Sequence, residues 1–256
     1  MVTPAPALDA VRGTVLRLFI GDHARLRKED EQKARELHAL LPYLARVRRG
    51  AHVVDAAAGK ASVGLVAAEH LEVGRLTVIE RDPKRVAACR AAAPRLTRAV
   101  PVDVVEADVD DASAWPARPD VVVALHACGP ASDAVITRAA AAGARQLLLV
   151  PCCHGAALAD WAVGHAHAIR LGFDARDALT RRVAIAYVDR RRALRLEAAG
   201  YETEVDEFVG ATVTPHNVLL RAKRSSVPAR MARAAATLAA QDEALTRGEA
   251  LPRGEA

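Results

Sequence analysis

Between residues 51 and 152 short apolar runs alternate with longer stretches in which apolar residues recur every three or four positions. The runs are "AHVVDA" (51–56), "RLTVIE" (75–80), "PVDVVEAD" (101–108), "PDVVVALHA" (119–127) and "ARQLLLVPC" (144–152). Each has strand length, and the stretches between them carry helix signals: "KASVGLVAAEHL", a helix opened by Pro83, and "SDAVITRAAAAG" closed by Gly143. Strands that alternate with helices and are apolar on both faces predict a parallel sheet covered on both sides. Upstream, residues 24–49 read as a helix with Leu26, Leu37, Leu40, Leu41 and Leu44 roughly on one face, kinked or divided at Pro42. Downstream, 155–199 is mainly helical in pattern, and "YETEVDEFVG" and "HNVLLRAKR" form a closing pair of strands. The tail from Ser225 carries one amphipathic helix and ends in "RGEALPRGEA", a polar repetitive stretch expected to fray.

The fold expected is therefore α/β: a Rossmann-like, seven-stranded, mainly parallel sheet. It divides the chain into an N-terminal helical extension (1–49), the sheet domain (50–223), and a C-terminal helix and tail (224–256). Composition changes this little. Of the 256 residues 52% are hydrophobic and only 3% aromatic, so Leu, Val and Ala fill the core. The net charge of +5 suits an anionic partner, although an Ala- and Arg-rich composition produces the same bias. The first twenty residues lack a signal-peptide pattern, and no run approaches the ~18 apolar residues of a membrane helix. Four cysteines are too few for a disulfide framework, so reduced thiols and a cytoplasmic location are expected.

Open parallel sheets bind ligands at the carboxyl ends of their strands. Those ends carry, in order, Asp55, Glu80, Asp108, His126 and Cys152. After the first strand, a G-x-G-x-x-G fingerprint would place glycines at 57, 59 and 62, where the chain has Ala57, Gly59 and Ser62, a poor match to a dinucleotide site. Glu80 stands where an acid accepts from ribose hydroxyls, and Asp108 where one takes the amino group of adenine. The ordered set suits an adenosine without phosphates, such as S-adenosylmethionine.

The segments "DAAAGKASVGL", "VIERD", "LHACGPASDAVI" and "LLVPCCHG", in that order, resemble those of class I S-adenosylmethionine-dependent methyltransferases. More narrowly, they resemble the branch that includes the eukaryotic tRNA acceptor-stem ribose methyltransferase. That branch also holds the methyltransferase-like domain of the glutathione-S-transferase C-terminal-domain-containing protein. The resemblance spans roughly residues 25–223. It implies that Asp55, Ala57, Gly59 and Lys60 form the cofactor loop, with Glu80 on the ribose, Asp108 on the adenine and His126 alongside. It also implies that His126, Cys128, Cys152, Cys153 and His154 face the methyl group and acceptor, and it makes RNA the leading substrate class. Ala57 and Ala61 depart from the glycines of many methyltransferases. Alanine keeps the turn provided that φ stays negative there. No additional RNA-binding module is visible.

Adjacent fourth and fifth strands would bring "HAC" (126–128) and "CCH" (152–154) over one cleft. Three chemistries compete there. Zinc could use the thiols and a histidine, but vicinal cysteines rarely both reach one ion and no C-x-x-C pair is present, so no metal is expected. A thiol nucleophile would suit pyrimidine methylation, although the surrounding residues match such enzymes poorly. The favoured reading makes the cysteines wall residues, with His126 or His154 as the base that deprotonates the acceptor. Arg27 and Lys28, in a charge-mixed N-terminal helix, and Asn217, in the turn "VTPHN", are candidate substrate contacts. Arg181, Arg182 and Arg190–Arg192 read as a solvated helix by default, or as a phosphate-facing surface. Other readings are a small-molecule or protein methyltransferase, and a methyltransferase-like module that binds without catalysis. The sequence sets no oligomeric state.

Overall fold

The apolar runs form strands close to their expected limits in a computed structural model that describes residues 5–21, 24–59 and 62–247. The strands are β1 Ala51–Ala56, β2 Val73–Glu80, β3 Val102–Glu106, β4 Val121–Cys128 and β5 Gln146–Cys152. They are followed by β6 Tyr201–Glu207 and β7 Val218–Arg224. One seven-stranded sheet results, in the order β3-β2-β1-β4-β5-β7-β6. Neighbouring strands from β3 to β5 run parallel, whereas β7 inserts antiparallel between β5 and β6. The order reverses between β1 and β4, which is the switch point where such sheets open a crevice.

Successive strand residues face opposite layers, as a period of two demands. Val53, Val121 and Leu148 belong to one apolar cluster and Val54, Val122 and Leu149 to the other. Helices α1 Leu8–Val15, α2 Lys28–Leu44 and α3 Val63–His70 close the first layer through Val11, Leu37, Leu40 and Leu65. The N-terminal helices thus share their core with the sheet. The second layer is closed by α5 Pro130–Ala141 and α7 Ala178–Ala198. Helices α4 Pro83–Ala92, α6 Trp161–Arg170 and α8 Pro228–Arg247 complete the chain. Among the described residues, no helix is long and apolar enough to cross a membrane. The polar end from residue 248 lies outside the described residues.

Two expectations change. Pro42 neither kinks nor divides the helix: α2 runs through it to Leu44, and Ala45 N–H resumes the ladder on Leu41 O at 2.8 Å. Near the last turn, proline forfeits one bond of a ladder that is about to stop. The arginines of α7 also divide. Arg190 is exposed, but Arg191 and Arg192 are buried, Arg192 completely. Arg192 makes paired contacts of 3.1 Å to both carboxylate oxygens of Asp133 on α5 and a third of 3.1 Å to Asp189. It also donates to the Gly129 carbonyl. A guanidinium with five fixed donors is the one cation that can serve all of these acceptors at once.

Removing that cation strands buried acceptors and the Asp189 charge. Arg192→Ala should therefore lose about 3–5 kcal/mol of stability in urea denaturation, whereas Arg190→Ala should stay within about 0.5 kcal/mol of wild type.

Candidate active site

Five non-glycine residues with positive φ occur among the described residues, and three of them sit at strand carboxyl ends: Ala57 after β1, His126 near the end of β4 and Cys153 after β5. Left-handed backbone costs a residue with a Cβ about 1–2 kcal/mol and collects at functional sites. Ala57 and His126 stand at the ends of β1 and β4, the two strands that flank the switch point, and Cys153 at the end of the neighbouring β5.

At β1 the turn is built around Asp55. Its carboxylate is fully buried, and Oδ2 accepts from Ser62 Oγ at 2.5 Å and from Gly64 N–H at 2.8 Å. Ser62 in turn caps α3 by accepting from Leu65 N–H. Among the described residues, Asp55 Oδ1 has no hydrogen-bond partner. Gly64 is the glycine on which this turn relies, because a Cβ there would overlap Leu76 and touch Asp55. The fingerprint spacing looked for that close helix–strand approach at position 62. Ala57 has φ of +55°, so the proviso of negative φ is not met and the alanine carries the strain that glycine would relieve. Lys60 and Ala61 lie outside the described residues.

Glu80, also buried, accepts from the backbone N–H groups of Gly59, Arg81 and Asp82 at 2.8–2.9 Å, and so ties the β1 turn to the β2 turn. Asp108 lies two residues beyond β3, capped by Asp110 N–H and paired with Arg81 at 3.1 Å. Its carboxyl is held below the usual range, first by the Asp110 bond. Ala57, Glu80, Arg81, Asp108, His126 and Cys128 line a cleft of about 110 Å³. That is less than the roughly 300 Å³ at which ligand sites begin. The exposed Arg81–Asp108 pair lies across it, and such a pair costs little to open.

On the other side of the switch point, β4 pairs with β5 so that Cys128 stands opposite Cys152, and His126 is the extra residue of a bulge between Leu125 and Ala127. His126 Nε2 lies 3.0 Å from Glu36 of α2. Glu36, one of the mixed charges of this helix, is almost wholly buried. Burial alone would raise its carboxyl, but the bonds from His126 and Gln32 outweigh that and hold it low. Lys33 of the same helix is lowered by burial, against the pull of Glu36 and Asp55. A sequence signal existed: both residues flank the leucine face of α2, one turn before Leu37 and Leu40.

His154 is placed differently. It is nearly buried, with Nε2 at 2.8 Å from Asp189, inside the ion-pair network of Arg192. Asn217 is also buried and spends its amide N–H on Val209 O within the β6–β7 connection. From that same connection it is His216 that approaches the site, its ring 6.4 Å from that of His126. Burial pushes the His216 imidazole down. Arg27 and Lys28 are exposed at the start of α2. The Sγ atoms of Cys128, Cys152 and Cys153 converge, at 3.1, 3.4 and 3.6 Å from one another. Vicinal cysteines do reach one point here, because the left-handed Cys153 breaks the alternation that would send it to the opposite face.

This strand order, with its turn and acids at the switch point, is the class I methyltransferase fold. A family described as a methyltransferase domain matches residues 28–160, just over half of the chain, and the chain belongs to it. Among solved structures it is similar to magnesium protoporphyrin IX methyltransferase (ChlM) from Synechocystis PCC 6803. The form with bound SAM gives 15% identity, 87% of this chain and 100% of that chain covered, and a TM-score of 0.51. The form with bound SAH gives 16% identity, 85% and 94% covered, and a TM-score of 0.50. At these identities the likeness is one of fold. No curated protein matches the chain.

The β1 turn sets two expected outcomes. Ala57→Gly relieves a left-handed alanine and should stabilise the protein by about 0.5–1 kcal/mol in denaturant titration, net of glycine's entropy. Burial pushes the Asp55 carboxyl up to about 6, against the Gly64 and Ser62 bonds that pull it down. In the unfolded chain it titrates near 3.9, so the folded state binds more protons between the two values. Stability therefore falls as pH rises from about 4 to about 6, by roughly 3 kcal/mol for a shift of this size. Asp55→Asn removes that loss, and its stability relative to wild type should climb across this window in urea titrations at successive pH values.

Proposed function

We propose that the protein transfers a methyl group from S-adenosylmethionine to an RNA acceptor. The cofactor would sit against the ends of β1, β2 and β3, and the acceptor against those of β4 and β5. The observation that carries the cofactor assignment is Glu80, locked by three backbone N–H groups and lining the cleft at the switch point. A carboxylate fixed in this way presents its remaining lone pairs to ribose hydroxyls without reorganisation. The partnerless, buried Oδ1 of Asp55 fits an amine-bearing cofactor of positive charge, and Asp108 fits an adenine amino group.

When bound, S-adenosylmethionine supplies a methyl carbon made electrophilic by its sulfonium. The chain's own part is to align the acceptor and to take its proton. His126 lines the cleft, and with Nε2–H donated to the ionised Glu36 its Nδ1 holds the free lone pair. His126 is therefore the base for a hydroxyl acceptor, and Glu36 its positioning residue. His154, committed to Asp189, anchors the loop after β5. RNA as the acceptor is supported by the net charge of +5 and by the resemblance of the paired Cys/His segments to the tRNA ribose methyltransferase branch. It is also supported by the exposed Arg27 and Lys28 at the start of the helix that delivers Glu36.

Calorimetric titration with S-adenosylhomocysteine, beside Glu80→Ala, tests the cofactor site. Binding at about micromolar Kd that the variant loses is the expected result. Methyl transfer to RNA pools should then be detectable, steeply weakened by salt and reduced roughly a hundredfold in kcat by His126→Ala. Transfer that is salt-insensitive and confined to small acceptors would replace RNA with a small molecule. Absence of binding in folded, ligand-free protein would leave a non-catalytic module.

A further inference from the structure

The three converging thiols are more than a wall. We propose that Cys128, Cys152 and Cys153 bind a divalent cation of borderline softness, zinc foremost, with the fourth coordination position open to the cleft. A tetrahedral zinc ion holds each sulfur at about 2.3 Å, which sets sulfurs about 3.8 Å apart. The Sγ separations of 3.1, 3.4 and 3.6 Å need widen by about 0.2–0.7 Å to reach that geometry, within the reach of side-chain rotation. Uncharged thiols gain little from one another, since S–H is a weak donor and sulfur a weak acceptor. Yet the backbone takes a left-handed conformation at Cys153, at a cost, and that turns its sulfur towards the other two.

Among the described residues, this is the one group of three or more cysteine, histidine or carboxylate side chains whose ligating atoms gather this closely. His126 and His154 spend Nε2 on Glu36 and Asp189, and among the described residues no histidine nitrogen joins the group of three sulfurs. Three protein ligands and a vacant fourth position are the pattern of zinc sites that act on a substrate, whereas structural sites close with four. Binding would release the three thiol protons and leave a net charge of −1, and Lys33 interacts electrostatically with Cys152. Cys128 lines the cleft at the end of β4, so the three sulfurs lie on the side given to the acceptor. Resting on the methyl-transfer reading, the open position would take the acceptor's hydroxyl oxygen.

The test needs neither cofactor nor activity. The full chain, reduced under anaerobic conditions and stripped by a chelator, is titrated with Co²⁺ and then back-titrated with Zn²⁺. The expected result is one equivalent of cobalt with thiolate-to-cobalt absorption, displaced by zinc. Cys128→Ser and Cys153→Ser should each weaken uptake by roughly tenfold or more, while Cys89→Ala leaves it unchanged. Cys128 and Cys153 are exposed, so both serine variants should keep the wild-type circular dichroism. Absence of cobalt–thiolate absorption in protein whose thiols react freely with a thiol reagent would overturn the site, as would equal uptake by the Cys128→Ser/Cys153→Ser double variant. S-adenosylhomocysteine affinity, measured separately on the metal-free protein, reports on the methyl-transfer reading alone.

Discussion

The buried carboxylate of Asp55, near the end of β1, is the constraint on which the cleft depends. Its Oδ2 draws in Ser62 and Gly64, so the chain leaving β1 must turn sharply and start α3 at once. Ser62 then completes the cap, and the absent Cβ of Gly64 lets the helix lie directly on β1 and β2. Glu80 extends the same arrangement one strand further by binding Gly59 N–H. Of these two buried acids Glu80 lines the cleft, held by backbone donors that do not reorganise when a ligand arrives. Burying a charge of this kind is unfavourable, and the raised Asp55 carboxyl shows that part of the penalty persists.

The β4–β5 side of the cleft is built on a different principle. Parallel pairing of β4 with β5 sets Cys128 beside Cys152, and the left-handed residues His126 and Cys153 turn side chains that regular strands would have sent elsewhere. What keeps those turns in place lies outside the strands. Glu36 reaches His126 from α2, and the Arg192 network of α5 and α7 fixes His154. The helices before β1 and after β5 are therefore part of the site, which fits their sharing of core with the sheet.

Much of the site was legible because strand ends are. The acids Asp55 and Glu80 and the cleft residues His126 and Cys128 can be read from where apolar runs stop, together with the rule that parallel sheets bind at their carboxyl ends. Pairings between distant segments were not legible. Glu36 lies ninety residues from His126, and in the sequence it looks like one more charge in a mixed helix. Asn217 and His216 are neighbours in one turn, and only the packing of that turn decides that the histidine approaches the site while the amide serves the backbone. Arg190, Arg191 and Arg192 are equally alike as letters, yet the angle of α7 buries two and exposes one.

By itself the sequence determined the number and order of the strands, the two-sided covering of the sheet and the end at which polar residues gather. Those features come from local periodicity and from where apolar runs begin and end. The tertiary structure alone decided the insertion of β7 beside β5, the left-handed turns at Ala57 and Cys153, and the meeting of three sulfurs. Each of these depends on which segments share a layer and on how a backbone bends under neighbours far away in the chain. Local pattern cannot encode that, because the energy that fixes it comes from packing between elements.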